Sequence, residues 1–98
     1  MATLSTHILD TASGRPAPGV GVSLEKDGAV IARGVTDADG RIAQLAGSLE
    51  PGRYRLVFDL DANSFFRRVA LDVEIGSESK YNVPLLVTPF AVTSYRGS

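Results

Sequence analysis

The sequence of 98 residues contains no cysteine. This absence excludes disulfides, cysteine-based zinc sites and thiol nucleophiles, and it removes any redox indication of the cellular compartment. The chain also has a single histidine, His7. Because histidine is the side chain that changes charge near neutral pH, a histidine acting as general base can only be this residue.

The sequence also lacks a strong excess of charge and a long apolar run. The net charge is −1, which suggests neither a nucleic-acid partner nor an acidic membrane surface. No apolar stretch approaches the roughly 20 residues of a membrane span. The first residues, Met1 to Leu4, show neither the basic nor the apolar region of a secretory signal. We therefore expect a soluble protein in the cytoplasm.

Amphipathic helical patterns are missing as well, and short alternating segments take their place. With 98 residues, 44% of them apolar, the chain is expected to form one domain over residues 1–98. Seven or eight short strands at spacings of about 8–12 residues predict an all-β sandwich with little or no helix. The expected strands are residues 4–10, 20–26, 29–36, 41–45, 53–59, 65–75, 81–87 and 90–95.

The alternation within these segments predicts which side chains point inward. In the first strand, Leu4, Thr6 and Ile8 share one face, while Ser5, His7 and Leu9 share the other. Val20, Val22 and Leu24 should face the core in the second strand, and Tyr54, Leu56 and Phe58 share one face in the clearest strand.

Glycine, proline and aspartate mark the connections between the strands. Asp27-Gly28 predicts a tight hairpin turn of the primed type, and Gly40 is the expected residue with positive φ in the turn at residues 37–40. Residues 46–52 are expected to form a loop, residues 76–79 a hairpin loop, and residues 61–66 at most one helical turn. Pro84 removes a hydrogen-bond donor from its strand, which favours an edge or a bulge.

Few residues suggest chemistry when they are taken singly. His7 is either a surface histidine or a general base. Arg41 directly follows a tight turn, where it is either solvated or presents its planar donors to a ligand. Asn82 should face the same side as Pro84, as a hydrogen-bonded strand residue or toward a ligand. The aspartates Asp37 and Asp39 are turn formers by position, and no metal-ligand spacing is present.

Six segments of the chain form a pattern when they are taken together: Leu4-Ser5-Thr6-His7-Ile8-Leu9-Asp10-Thr11, Gly14-Arg15-Pro16-Ala17, Asp39-Gly40-Arg41, Gly52-Arg53-Tyr54-Arg55-Leu56-Val57-Phe58, Tyr81-Asn82-Val83-Pro84-Leu85-Leu86 and Tyr95-Arg96-Gly97-Ser98. This pattern, which covers nearly the whole chain, resembles the 5-hydroxyisourate hydrolases, the transthyretin-related enzymes of urate breakdown. Its most specific part is the last segment, which distinguishes the enzymes from the hormone carrier transthyretin.

The resemblance implies a transthyretin-like (prealbumin-like) two-sheet β-sandwich and a homotetramer, a dimer of dimers with active sites where the dimers meet. It also implies hydrolysis of 5-hydroxyisourate to 2-oxo-4-hydroxy-4-carboxy-5-ureidoimidazoline, without metal or cofactor. Under this resemblance His7 positions or activates water, Arg41 and Tyr95 hold the substrate, and Ser98 closes the site.

One departure from the family pattern concerns the reaction directly. Where the family usually has a second histidine, this chain has Asn82, which cannot take a proton near pH 7. If that histidine is the general base, its loss reduces the rate by a factor on the order of 10²–10⁴.

Two alternatives to the enzyme therefore stay open. The first is a transthyretin-like protein that holds a small ligand in the tetramer channel without turnover. The second is a purely structural prealbumin-like domain, which would have no reason to carry the terminal Tyr95-Arg96-Gly97-Ser98.

Overall fold

A computed structural model describes residues 1–60 and 64–97 of the chain. These residues form nine strands: β1 (Ala2–Asp10), β2 (Arg15–Pro16), β3 (Gly21–Lys26), β4 (Ala29–Val35), β5 (Arg41–Leu49), β6 (Gly52–Asp59), β7 (Arg68–Ile75), β8 (Lys80–Val87) and β9 (Val92–Ser94). Within the described ranges there is no helix, and hence no helical segment with the length and apolar character needed to cross a membrane. The predicted all-β fold is confirmed.

The strands form two sheets. The first sheet has the order β2-β1-β8-β9, and β5 pairs with β1 on the same side as β2. Its central pair, β1 and β8, is parallel, and its other pairs are antiparallel. The second sheet has the order β4-β3-β6-β7 and is antiparallel throughout. The first sheet places the candidate site residues on neighbouring strands.

The core lies between the inner faces of the two sheets. Leu4, Thr6 and Ile8 of β1 are buried, as their alternation predicts, and so are Tyr54, Leu56 and Phe58 of β6. Each fully buried aliphatic or aromatic side chain contributes roughly 1.5–3 kcal/mol relative to an exposed one. The one polar member of the β1 set, Thr6, donates its hydroxyl to the carbonyl oxygen of Val83 at 2.6 Å. Because this face of β1 is fixed in the core, Ser5 and His7 must point away from it.

The two predicted tight turns have the expected backbone. Asp27 and Gly28 both have positive φ, at 52° and 82°, which is the signature of a type I′ turn. Gly40 has a φ of 72°. Its carbonyl oxygen accepts a hydrogen bond from the backbone N–H of Ile8 at 2.7 Å, so this second turn is attached to β1.

The expectation of a loop at residues 46–52 is wrong, because β5 continues to Leu49. Ala46 pairs with Leu4, and Leu49 pairs with Ala2, with two shifts of register along the way. Ser48 also has a positive φ of 56°. Such irregularities break the period of two on which a strand is recognised in a sequence.

The expectation of a hairpin loop at residues 76–79 is also wrong. The strand before it, β7, belongs to the second sheet, and the strand after it, β8, belongs to the first, so this segment crosses from one sheet to the other. The hydroxyl of Tyr81 accepts hydrogen bonds from the backbone N–H groups of Gly76, at 2.8 Å, and Glu78, at 3.3 Å. The phenol ties the crossing to the start of β8.

The segment around residues 61–66 begins outside the described residues, since the structure describes the chain again only from residue 64. Half of the predicted helical turn, residues 61–63, therefore lies outside the described residues, and residues 64–66 are not helical. The next strand begins at Arg68, three residues later than expected.

Pro84 lies in a central strand, and the pairing of β1 with β8 runs through it without a shift of register, so the prediction of an edge or a bulge is wrong. The strand β8 is flanked by β1 and β9, and the backbone N–H of Gly97 donates to the carbonyl oxygen of Asn82 at 2.7 Å. Alternate residues of a strand direct their backbone groups to the same neighbour. Residue 84 therefore directs its missing N–H toward the C-terminal segment, and regular pairing with β9 stops at Ser94.

Candidate functional site

The candidate site begins with a cross-strand pair on the outer face of the first sheet. His7 on β1 and Arg41 on β5 are directly opposite in the antiparallel ladder. Side chains of directly opposite residues project from the same face of a sheet. Since the neighbours of His7 in β1, Thr6 and Ile8, are buried, this face is the one that points away from the core. The imidazole is half-buried, whereas Arg41 is exposed.

The turn at residues 37–41 places the arginine. One carboxylate oxygen of Asp37, Oδ1, accepts hydrogen bonds from the backbone N–H of Asp39 at 2.9 Å and from that of Arg41 at 3.0 Å. The backbone N–H of Asp37 donates to the carbonyl oxygen of Arg41 at 2.9 Å. The sequence identified Asp37 correctly as a turn former. It gave no sign that the carboxylate bonds directly to the backbone of a candidate site residue.

His7 is held by the same turn. Its Nε2 lies 3.1 Å from the carbonyl oxygen of Asp39. The sequence analysis did not identify this contact, because it depends on the pairing of β1 with β5 across 32 residues of sequence. The imidazole of His7 and the backbone of Arg41 are thus held by one short segment of chain.

Asn82 lies next to His7 on the same face. It is the Cα partner of Ser5 in the parallel β1–β8 ladder, and His7 is the partner of Pro84. The Ser5 hydroxyl donates to Asn82 Oδ1 at 3.0 Å. Oδ1 thus accepts a hydrogen bond, and Nδ2 of the same amide carries two N–H donors. The prediction that Asn82 faces the same side as Pro84 agrees with this geometry, and Ser5 is an addition that the sequence did not reveal.

The C-terminal segment is docked against β8 as far as Gly97. Gly97 forms an isolated bridge with Asn82, in the same register that pairs Leu85 with Ser94. A Cβ atom at position 97 would lie 2.6 Å from Asn82 Nδ2, so glycine permits the approach of the terminal backbone to the amide. The terminal segment therefore reaches the candidate site.

Arg96 fixes this segment to the crossing between the sheets. Its guanidinium lies 4.8 Å from the centroid of the Tyr81 ring and 2.9 Å from Glu78 Oε2. The hydrogen bond that Arg96 donates to the carboxylate of Glu78, followed by the charge of that carboxylate, raises the pKa of Arg96 above its ordinary value. The arginine stays charged, and the contact is an exposed ion pair combined with stacking on an aromatic face.

Of the two other candidate residues, the structure describes Tyr95 but not Ser98. The register of β8 and β9, extended by one residue, sets Tyr95 opposite Pro84, and its side chain is 55% exposed. Ser98 lies outside the described residues. Among the residues that are described, no group of three or more histidine, aspartate or glutamate side chains is arranged to hold a metal ion. The catalytic and substrate-binding roles of His7, Arg41, Asn82, Tyr95 and Ser98 stay predictions.

Comparison with known proteins identifies the family. The model of the HIUase/Transthyretin family matches residues 4–97. The chain belongs to the HIUase/Transthyretin family. The 5-hydroxyisourate hydrolase from Caulobacter vibrioides is 40% identical, with both chains covered completely. The mouse protein of the same name is 37% identical and covers 97% of this chain and 94% of its own.

Solved structures of family members agree with the observed fold. A 5-hydroxyisourate hydrolase from Klebsiella pneumoniae superposes with a TM-score of 0.91 at 42% identity, covering all of this chain and 94% of the other. Sea bream transthyretin in complex with thyroxine superposes with a TM-score of 0.87 at 30% identity, covering 98% and 95%. The resemblance inferred from the sequence and the transthyretin-like sandwich are both confirmed.

Proposed function

We propose that this member of the HIUase/Transthyretin family hydrolyses 5-hydroxyisourate to 2-oxo-4-hydroxy-4-carboxy-5-ureidoimidazoline in urate degradation, with no metal or cofactor. The observation that carries the proposal is the set of three polar side chains on one face of the first sheet: His7 and Arg41 directly opposite each other, and Asn82 on the adjacent strand. Its support from relatives comes from proteins named 5-hydroxyisourate hydrolase that match over the full length of the chain.

The proposed reaction adds water across one cyclic amide bond. The oxygen of water bonds to the carbonyl carbon, the C–N bond breaks, and the leaving nitrogen gains a proton. The neutral imidazole of His7 accepts the proton of the attacking water and returns it to that nitrogen. The guanidinium of Arg41, with donors in a planar fork, stabilises the negative charge that develops on the carbonyl oxygen.

In this mechanism Asn82 is a donor and not a base. With Oδ1 engaged by Ser5, Nδ2 supplies a second hydrogen bond to the developing oxyanion. If a histidine at this position supplies proton transfer in relatives, the present chain is slower by a factor on the order of 10²–10⁴. Tyr95 is proposed to contact the substrate, and Ser98 to close the site.

We further propose that the working form is a homotetramer in the cytoplasm, a dimer of dimers. The support is that the candidate side chains lie on an outer face of the sandwich, where one copy alone leaves Arg41 and Tyr95 exposed. A second copy over this face excludes water from the reacting groups, which strengthens their electrostatic interactions. Light scattering after size exclusion measures the mass: four chains are expected, and a monomer contradicts the proposal.

The test of the function is the decay of freshly generated 5-hydroxyisourate, followed by ultraviolet absorbance. The unchanged chain, Asn82→His and Asn82→Gln are compared at equal concentration. Asn82→Gln is the matched control because it keeps an amide and adds no titrating group. We expect the unchanged chain to exceed the spontaneous decay, and Asn82→His to exceed the unchanged chain by a factor on the order of 10²–10⁴.

The outcomes separate the possible readings. If only Asn82→His accelerates the decay, the site assignment stands and the present chain is not an effective hydrolase. If neither the unchanged chain nor Asn82→His accelerates the decay, the proposed function is wrong. If Asn82→Gln gains as much as Asn82→His, the gain does not come from proton transfer, and the role assigned to position 82 is wrong.

A ligand-binding protein without turnover is the second candidate. It is favoured by Asn82, which provides no second proton acceptor, and it has a parallel in the family member from sea bream, whose structure contains thyroxine. Under this alternative the tetramer channel binds a small ligand that is recovered unchanged. Calorimetric titration with urate, as a stable analogue of the substrate, gives saturable binding under both candidates. Only the decay assay distinguishes them.

A further inference from the structure

We propose that His7 accepts protons through Nδ1, and that Asp37 is the positioning residue that sets this choice. The inference deepens the proposed function and, for its kinetic part, rests on it. The imidazole has two chemically different nitrogens, and only one of them accepts the proton. Asp37, which is not among the candidate residues His7, Arg41, Asn82, Tyr95 and Ser98, determines which one it is.

The first step is the hydrogen bond of the imidazole. Nε2 of His7 lies 3.1 Å from the backbone carbonyl oxygen of Asp39. A carbonyl oxygen only accepts, so Nε2 must carry the proton in this contact. A neutral imidazole has one N–H, and the lone pair of Nδ1 is therefore the one available to accept a proton.

The second step is the rigidity of the acceptor. The Asp39 carbonyl shares its peptide unit with the N–H of Gly40, which donates to the carbonyl oxygen of Asp37 at 2.9 Å. The carbonyl oxygen of Gly40 accepts from the N–H of Ile8 at 2.7 Å. A Cβ at position 40 would meet the Ile8 oxygen at 2.4 Å. The turn is thus pressed against β1 one residue from His7, and the Asp39 carbonyl has little freedom to turn away.

The side chain of Asp37 holds this turn through two hydrogen bonds. Its Oδ1 accepts from the N–H groups of both Asp39 and Arg41, at 2.9 and 3.0 Å. These two bonds hold the peptide units on either side of the one that contains the Asp39 carbonyl. Without them the turn keeps only its backbone hydrogen bonds, and we infer that the Asp39 carbonyl then moves away from Nε2. One carboxylate oxygen therefore positions the partner of the imidazole and the backbone of the arginine at the same time.

The test uses the fact that the chain has only one histidine. In the chain labelled with ¹⁵N, long-range ¹H–¹⁵N correlation gives a single pair of ring nitrogens. The spectrum is taken at a pH high enough that the signals no longer move, so that the ring is neutral. We expect Nε2 to show the shift of a protonated nitrogen and Nδ1 that of an unprotonated one. The reverse assignment overturns the inference, whether or not the chain is an active hydrolase.

Three variants test the role of Asp37. Asp37→Ala should give shifts averaged between the two tautomers, whereas Asp37→Asn, which keeps the Oδ1 acceptor, should restore the single tautomer. Asp10→Ala is the matched control, because Asp10 Oδ1 accepts from the N–H of Ala12 at 2.9 Å, in a turn that forms no hydrogen bond with Asp39 among the described residues. If Asp37→Ala keeps the single tautomer, or Asp10→Ala loses it, the positioning role is refuted.

Kinetics then connect the tautomer to the reaction. If the unchanged chain hydrolyses 5-hydroxyisourate, Asp37→Ala should lower kcat by a factor on the order of 10², and Asp37→Asn should recover most of the loss. An active enzyme with the opposite tautomer refutes this inference and leaves the proposed function intact. An inactive chain with the expected tautomer refutes the function and leaves the assignment of Nδ1 intact.

Discussion

Replacing Gly40 by alanine should destabilise the protein far more than the same change at Gly28. Both glycines have positive φ, 72° and 82°, and a side chain in this region of backbone space costs roughly 1–2 kcal/mol. They differ in their surroundings. A Cβ at Gly28 has nothing within 4 Å, whereas at Gly40 it would lie 2.4 Å from the oxygen of Ile8 and 3.0 Å from the nitrogen of Ala17.

The clash at Gly40 involves backbone atoms, so no side-chain rotation relieves it. The turn must move away from β1, and two hydrogen bonds are then disturbed: the N–H of Ile8 to the oxygen of Gly40 and the N–H of Ala17 to the oxygen of Ile8. At about 0.5–1.5 kcal/mol for each bond, the loss adds about 1–3 kcal/mol to the conformational cost. We expect Gly40→Ala to lose roughly 2–5 kcal/mol and Gly28→Ala roughly 1–2 kcal/mol.

Urea unfolding of the two variants and the unchanged chain, followed by circular dichroism at one protein concentration, measures these losses. The concentration is fixed because association of subunits changes the apparent stability. Equal losses at the two positions would show that the turn does not lie against β1 as described, and the placement of His7 by that turn would fail with it. A loss at Gly28 that exceeds the loss at Gly40 would have the same meaning.

Two further changes test contacts outside the turn. Tyr81→Phe removes the hydroxyl that accepts from Gly76 and Glu78 and keeps the ring beneath Arg96, so urea unfolding should show a loss of about 1–3 kcal/mol; no loss would mean that the hydroxyl does not hold the crossing between the sheets. Asp72→Asn tests acid stability. The hydrogen bond from Arg55 lowers the pKa of Asp72 below its ordinary value, so the carboxylate stabilises the fold above its unfolded-state pKa, and this contribution is lost as the pH falls through the folded-state value. The free energy of unfolding should therefore differ less between neutral and acidic pH in Asp72→Asn than in the unchanged chain. The control is Glu74→Gln, because Glu74 forms a longer exposed pair with Arg53, at 3.7 Å. An unchanged pH dependence in Asp72→Asn would contradict the stabilising role given to the Asp72 carboxylate.

Much of the sandwich is readable from local pattern. The alternation of β1 and β6 predicts their buried faces, because the period of side chains in a strand is two and one face must be buried. Asp27-Gly28 predicts its turn because both positions require positive φ. These features depend on a few consecutive residues, and the structure agrees with all of them.

The sequence-based predictions that are wrong concern features that depend on pairing between distant parts of the chain. Residues 46–49 form a strand because they pair with the start of β1 through shifted register, which no local pattern reveals. The segment at residues 76–79 has the composition of a hairpin loop but connects two sheets, since β8 pairs with β1 and not with β7. Pro84 suggests an edge, yet β8 is central because it pairs with β1 on one side and with β9 on the other.

For the candidate site, the sequence indicates which residues are involved but not how they are arranged. His7, Arg41 and Asn82 can be selected from the sequence by type and by family resemblance. Their common face requires knowledge that β1 is paired with β5 on one side and β8 on the other. Ser5 and Asp37 could not be selected as partners, because each contact depends on that pairing or on the detailed course of a turn.

The bridge between Gly97 and Asn82 makes the terminal segment sensitive to its length. The same register holds on both sides of the interruption, so Tyr95 and Arg96 fill a gap of fixed size. Removing one residue from this gap would bring a different residue opposite Asn82 and exchange the faces of all that follow. Adding one residue would displace the glycine that the amide requires. Insertions and deletions at these two positions therefore disconnect the C-terminal end from the candidate site.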